Sequence, residues 1–128
     1  MSEADKIPAN GEVRPWGAFA VLREGPGYKV KCLTVNPGKR LSMQYHLHRE
    51  EHWVVARGTA RILIAERGEE GRTGELTIPC GETIFIPKEY IHRLENPGED
   101  VLEIVEVQMG DYLGEDDIVR LSDDFGRV

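Results

Sequence analysis

Cysteine is scarce in this chain. Cys32 and Cys80 are the only two in 128 residues, and neither has a partner at Cys-x-x-Cys spacing. Both sit in hydrophobic-alternating segments and read as free thiols serving as small apolar residues, which argues against a disulfide framework and against thiolate metal ligation. Long apolar runs are missing as well. Nothing approaches the eighteen or so residues of a membrane span, and the opening MSEADKIPANGE has no apolar signal core. Cytoplasmic residence and no membrane partner are therefore expected. Positive charge is in deficit, with 16 Lys and Arg against 23 Asp and Glu and a net charge of −7. That balance disfavours nucleic acid, whose sequence-independent attraction depends on basic surface. An anionic small molecule would need a local basic cluster. Repeats, low-complexity tracts and linkers are also absent, so residues 1–13 read as a loose polar arm and 14–128 as one domain.

What is present is a succession of short segments rich in Val, Ile, Leu, Thr and aromatics. These are AFAVL (18–22), YKVKCLTV (28–35), LSMQYHLH (41–48), HWVVA (52–56), ARILIA (60–65), ELTIP (75–79), TIFIP (83–87), IHRLEN (91–96) and VLEIVEV (101–107). Gly, Pro and Asn punctuate them at Pro26-Gly27, Pro37-Gly38, Arg57-Gly58, Gly81 and Pro97-Gly98. Many short strands at this spacing predict an all-β sandwich or barrel. ERGEEGRTGE (66–75) reads as an exposed hairpin tip, and GEDDIVRL near the end as a short helix with acidic residues in its first turn.

All four histidines fall at 46, 48, 52 and 92. In a strand the HLH run would put His46 and His48 on one face and Leu47 on the other. Glu51 and His52 open the next strand, and His92 opens another forty residues on. An isolated histidine is usually a hydrogen-bonded or surface group. Four in these contexts point instead to N and O donors converging on a borderline divalent ion such as Zn, Mn, Fe, Co or Ni. Gln44 shares the expected face of His46 and His48, as an outer ligand, a hydrogen-bonding support or a satisfied core amide.

The stretch from Gly38 through His46, His48, Glu51 and His52 to Gly58 resembles the first motif of the cupin superfamily. Gly81-ETIFI-Pro87-KEYI-His92-RLE-Asn96 resembles the second, with Glu89 where a turn glycine is usual. Within the cupins the chain is similar to the type II mannose-6-phosphate isomerase domain, as in the C-terminal part of bifunctional mannose-1-phosphate guanylyltransferase/mannose-6-phosphate isomerase. RPWG (14–17), YKVK (28–31), QYHLHREEHWVVARGTA (44–60), IPKEYIHRLENPG (86–98), LEIVEVQ (102–108) and YLGEDDIVRLSDDFGR (112–127) carry that likeness. Leu47 stands where a histidine is usual, and nothing resembles the glycine-rich nucleotide loop of the guanylyltransferase half.

The resemblance implies a double-stranded β-helix (jelly-roll) barrel and a homodimer paired through strand edges. It also implies a metal held by His46, His48, His92 and either Glu51 or His52. Counting back from Gly58 gives Glu51, counting on from His48 gives His52, and adjacent strand residues cannot both reach one ion. The implied reaction interconverts mannose 6-phosphate and fructose 6-phosphate, with Arg49 contacting substrate oxygens and Lys31, Glu103 or Glu106 as proton carrier. Lys29, Arg40 and Arg93 could add positive charge for a phosphosugar, and Trp16 could wall its pocket. Other metal-dependent cupin enzymes, such as a dioxygenase, stay open as alternatives. So does a non-catalytic sugar binder or partner of a separate nucleotidyltransferase.

Overall fold

A computed structural model describes residues 11–128. Eleven strands run in order: β1 Gly11–Arg14, β2 Gly17–Gly25, β3 Tyr28–Val35, β4 Met43–Tyr45, β5 Arg49–Arg57, β6 Thr59–Ala65, β7 Gly74–Pro79, β8 Thr83–Ile86, β9 Ile91–Glu95, β10 Leu102–Gly110 and β11 Val119–Ser122. They form a six-stranded sheet, β1-β2-β3-β10-β5-β8, and a five-stranded sheet, β11-β4-β9-β6-β7, with antiparallel pairing throughout. This is the expected all-β jelly roll. Among the described residues no helix is long and apolar enough to cross a membrane.

Several expectations change in detail. Residues 1–10 of the expected arm lie outside the described residues, while Gly11–Arg14 pair with β2. GEDDIVRL is not a helix: Asp117 turns inward and Val119–Ser122 pair with β4 as β11. The expected strand at 41–48 shrinks to Met43–Tyr45, because the next residues bend to meet Asp117. Cys32 and Cys80 are free thiols, the latter exposed. The 66–75 hairpin tip is exposed as expected.

Three neighbouring strands explain how one barrel holds both a core and a site. Inward positions are apolar at one end and polar at the other: Val35 and Leu33 then Lys31 and Lys29 on β3, Leu102 and Ile104 then Glu106 and Gln108 on β10, Val55 and Trp53 then Glu51 and Arg49 on β5. The register aligns like with like. Ile104 lies opposite Leu33 and Val55, Glu106 opposite Lys31 and Trp53, Gln108 opposite Lys29 and Glu51. Ile62, Ile86 and Leu94 complete the dry half. Burying the charged half costs free energy unless every charge finds partners, and the apolar half supplies the compensating hydrophobic burial.

Two backbone positions shape the mouth of the barrel. A Cβ on Gly110 would collide with the His48 carbonyl oxygen, so only glycine lets β10 approach the start of β5. Glu89 is the one non-glycine described with positive φ, at 67°, at the turn where cupins usually carry glycine. Its N–H donates to the His46 carbonyl at 2.9 Å, and its carboxylate pairs with Arg67 at 2.6 Å.

Asn96 ties the turn after β9. Its amide nitrogen donates to the carbonyls of Val35 at 2.9 Å and Asp100 at 2.8 Å, and its side-chain oxygen accepts the Gly98 N–H at 3.0 Å. Asn96→Ala leaves buried backbone groups unpaired and is expected to destabilise the fold by about 2–3 kcal/mol. A thermal or urea melt against wild type reads this directly.

Candidate metal centre and pocket

The chain does not alternate evenly through HLH. Asp117 Oδ1 and Oδ2 accept the backbone N–H groups of Leu47 and His48, each at 2.9 Å, which bends the segment between β4 and β5. His46 points inward before the bend. Arg49, Glu51, Trp53 and Val55 point inward after it. His48 is thereby turned out beside Asp111 and Tyr112, and His52 stacks on Phe85 at 4.7 Å. Both side chains are 49% exposed. The expected sharing of one face by His46 and His48 does not occur, and of Glu51 and His52 it is Glu51 that faces in. Leu47 is exposed too, so the departure there does not touch the interior.

What the fold brings together is His46, Glu51 and His92, all buried, with one donor atom from each within 4.8 Å of the others. His46 Nε2 is 3.4 Å from Glu51 Oε2, and His92 Nε2 is 3.7 Å from Glu51 Oε1. Each imidazole is oriented by a backbone carbonyl at its other nitrogen: Asp117 O at 2.6 Å from His46 Nδ1, and Tyr90 O at 3.0 Å from His92 Nδ1. A carbonyl only accepts, so Nδ1 carries the proton and both Nε2 atoms present lone pairs to the carboxylate. Burial pushes both imidazoles below their ordinary pKa, His46 to about 4. Burial would raise Glu51, but positive charge shared among the facing imidazoles and the Arg49 guanidinium outweighs it and holds its carboxyl well below the usual range.

Two neutral imidazoles aimed at a carboxylate repel unless positive charge lies among them. Arg49 supplies part of that charge. Its Nε donates to Glu51 Oε2 at 2.8 Å and its Nη2 to His46 Nε2 at 3.3 Å, while buried Nη1 has no hydrogen-bond partner among the described residues. Trp53 Nε1 donates to the other Glu51 oxygen at 3.1 Å. Gln44 lies beside His92 across β4 and β9. Its amide nitrogen is used by Ser42, which leaves Oε1 as a further neutral donor atom. Two imidazoles, a carboxylate and an amide oxygen fit a borderline divalent ion.

This cluster lines a small polar cavity of about 110 Å³. Trp16, Lys31, Glu106 and Glu115 share its wall. Glu106 is pushed up to about 8, by burial first and then by the charge of Glu51, against the pull of Lys31 and Arg49. Lys31 Nζ donates to Glu115 at 2.9 Å and sits 3.9 Å over the Phe19 ring. Glu103, the other carboxylate on β10, pairs across to Thr34 and Arg57, on the outward side of the strand.

Arg40 and Arg93 do not reach the pocket. Arg93 alternates with His92 and so faces away, donating to the Leu41 carbonyl at 2.8 Å. Arg40 is held by Asp124 at 2.7 Å and Glu95 at 3.1 Å. In their place stand residues the sequence reading assigned no role: Arg14, Arg120 and Arg127 from the two ends of the chain, with Glu115.

A sequence model of the family described as "Mannose-6-phosphate isomerase C-terminal" matches residues 4–123. The chain belongs to that family. Among curated relatives it is 50% identical over 133 residues to mannose-1-phosphate guanylyltransferase ManC of Salmonella typhimurium, covering 97% of this chain and 26% of that protein. It is 49% identical over 115 residues to the xanthan biosynthesis protein XanB of Xanthomonas campestris, covering 90% and 23%. This family member thus spans about a quarter of the length of the relatives it matches. Among solved structures, the capsular polysaccharide assembling protein CapF of Staphylococcus aureus superposes with a TM-score of 0.78 at 20% identity, over 88% of this chain and 34% of that one. Oxalate decarboxylase of Lactobacillus farciminis does so at 0.74 and 16%, over 87% and 33%. With a cupin domain of Schizosaccharomyces pombe Cnp3 the TM-score is 0.64 at 13% identity, over 73% and 64%. At these identities the likeness establishes the cupin fold.

If the inward cluster is the metal site, His46→Ala and His92→Ala will each weaken cobalt(II) binding by about 100-fold or more, read from the visible absorption of the bound ion. His48→Ala and His52→Ala will leave the spectrum and the affinity at wild-type values.

Proposed function

We propose that the pocket interconverts mannose 6-phosphate and fructose 6-phosphate, with His46, Glu51 and His92, joined by Gln44, holding a divalent transition metal. The observation that carries this reading is the placing of two buried carboxylates on neighbouring strands in different surroundings. Glu51 lies among donors that favour its ionised form and suit a cation, while burial and the charge of Glu51 push Glu106 up to about 8. Environments that push two carboxylates apart in this way separate an electrostatic role from a proton-transfer role.

Aldose–ketose isomerisation removes the proton from C2 of the open-chain aldose and returns one to C1, by way of an enediolate. Glu106 is the group assigned to carry that proton, because a carboxylate titrating near the working pH can both take and release it. Arg49, with its unused Nη1 donor, and Lys31 would hydrogen-bond the oxygen that gains charge at C1 or C2. When bound, the metal would act as a Lewis acid for those same oxygens. Trp16 would pack against the sugar. A homodimer would cover the outer face of the six-stranded sheet, where Val54, Phe85 and Met109 are exposed.

A coupled assay for fructose 6-phosphate, run on protein loaded with Mn, Co, Ni or Zn, tests the reaction. Turnover lost to chelator and to His92→Ala supports it. A metal-loaded protein inert under every ion refutes it and favours a binding role. In the active protein, protonated Glu106 cannot accept the substrate proton, so kcat/KM should fall as pH drops through its pKa. That acid limb should lie above the ordinary carboxylate range. Glu106→Gln should lower kcat by about 100- to 10,000-fold and abolish the limb, whereas Glu103→Gln should preserve both.

A further inference from the structure

Three arginines from distant parts of the chain line the same pocket as the histidines: Arg14 at the end of β1, Arg120 on β11 and Arg127 near the C-terminus. Arg120 feels the charge of the other two. Burial first, then Arg127 and Arg14, lower the pKa of Arg120, against the opposing pull of Asp123. Like charges crowd a wall in this way at a cost unless an anion is to be held there.

Their present partners leave donors unused. Arg14 gives one Nη to Glu12 at 2.8 Å and the other to the Val13 carbonyl at 2.9 Å. Arg127 gives Nε and Nη2 to Asp123 at 2.9 and 2.8 Å. Arg120 differs from both. Its side chain makes no hydrogen bond or ion pair with any described residue, and its Nε is buried without a partner. In a chain carrying 23 carboxylate side chains, an arginine that faces a polar pocket and hydrogen-bonds none of them keeps its donors for an external acceptor. A phosphate ester suits it better than a carboxylate. Its three non-bridging oxygens can take the open fork of Arg120 together with the spare donors of Arg14 and Arg127.

We propose that Arg120, flanked by Arg14 and Arg127, is the phosphate subsite of the pocket and selects phosphorylated over free sugars. The assignment rests on the isomerase reading for the identity of the sugar, and only on the arginine geometry for the anion.

Titration calorimetry on the full chain, with and without bound cobalt, tests it using mannose 6-phosphate, free mannose and inorganic phosphate. Wild type should bind mannose 6-phosphate at least about tenfold more tightly than mannose. Arg120→Gln should erase that margin and leave cobalt binding unchanged. Arg120→Lys, which keeps the charge without the fork, should keep part of it, and Arg127→Gln should lose part. The lysine variant and Arg127→Gln decide the matter should Arg120→Gln fail to fold. Equal binding of mannose and mannose 6-phosphate by wild type, or an unchanged margin in the variants, overturns the subsite. If turnover is absent under every metal yet the margin follows Arg120, the subsite stands and the isomerase reading falls. If turnover is present with a KM indifferent to Arg120, the reverse holds.

Discussion

An ionised carboxylate inside a barrel is the constraint around which the rest of this molecule is arranged. Glu51 is 2% exposed, and a charge so placed is tolerated only when it is surrounded by donors and opposite charge. Arg49 and Trp53, two residues away on either side along β5, provide both from the same strand face. The imidazoles of His46 and His92 reach the carboxylate from the opposite sheet, each locked by a backbone carbonyl. Burial first, and then the negative charge of Glu51, discourage Glu106 on the adjoining strand from ionising. The two carboxylates differ because their surroundings differ.

The second organising element is the segment after β10. Asp117 accepts two backbone N–H groups at the bend after His46, and its own carbonyl orients the His46 ring. That single residue decides that His46 faces the interior and His48 does not. Glu115 bonds Lys31, and Arg120 and Arg127 line the pocket.

Much of this was legible in the sequence. Short strands with Gly and Pro punctuation gave the fold class, YKVKCLTV matched β3 to the residue, and of the two opposed counts the one back from Gly58 named Glu51, the residue that faces in. The split of each inward face into apolar and polar ends is also written there, as Lys29, Lys31, Leu33 and Val35 or Leu102, Ile104, Glu106 and Gln108 at period two. The second histidine was misplaced because alternation assumes an unbroken strand, and the residue that breaks it lies about seventy positions away. Arg93 was misassigned although it follows an inward histidine and so must face outward. The pocket arginines carried no local signal, since GEDDIVRL reads by propensity as a helix start. Only tertiary pairing with β4 makes it extended.

The partition of the barrel interior has a wider consequence. Cohesion comes from one end of the inward strand faces and the buried polar cluster from the other, so the two are encoded at different positions of the same strands. Residues at the polar end can be exchanged without removing the packing that keeps the container closed. Proteins named for capsule assembly and for oxalate decarboxylation share this fold at 16–20% identity. A fold built this way diversifies by changing its contents, and its walls set how far that can go.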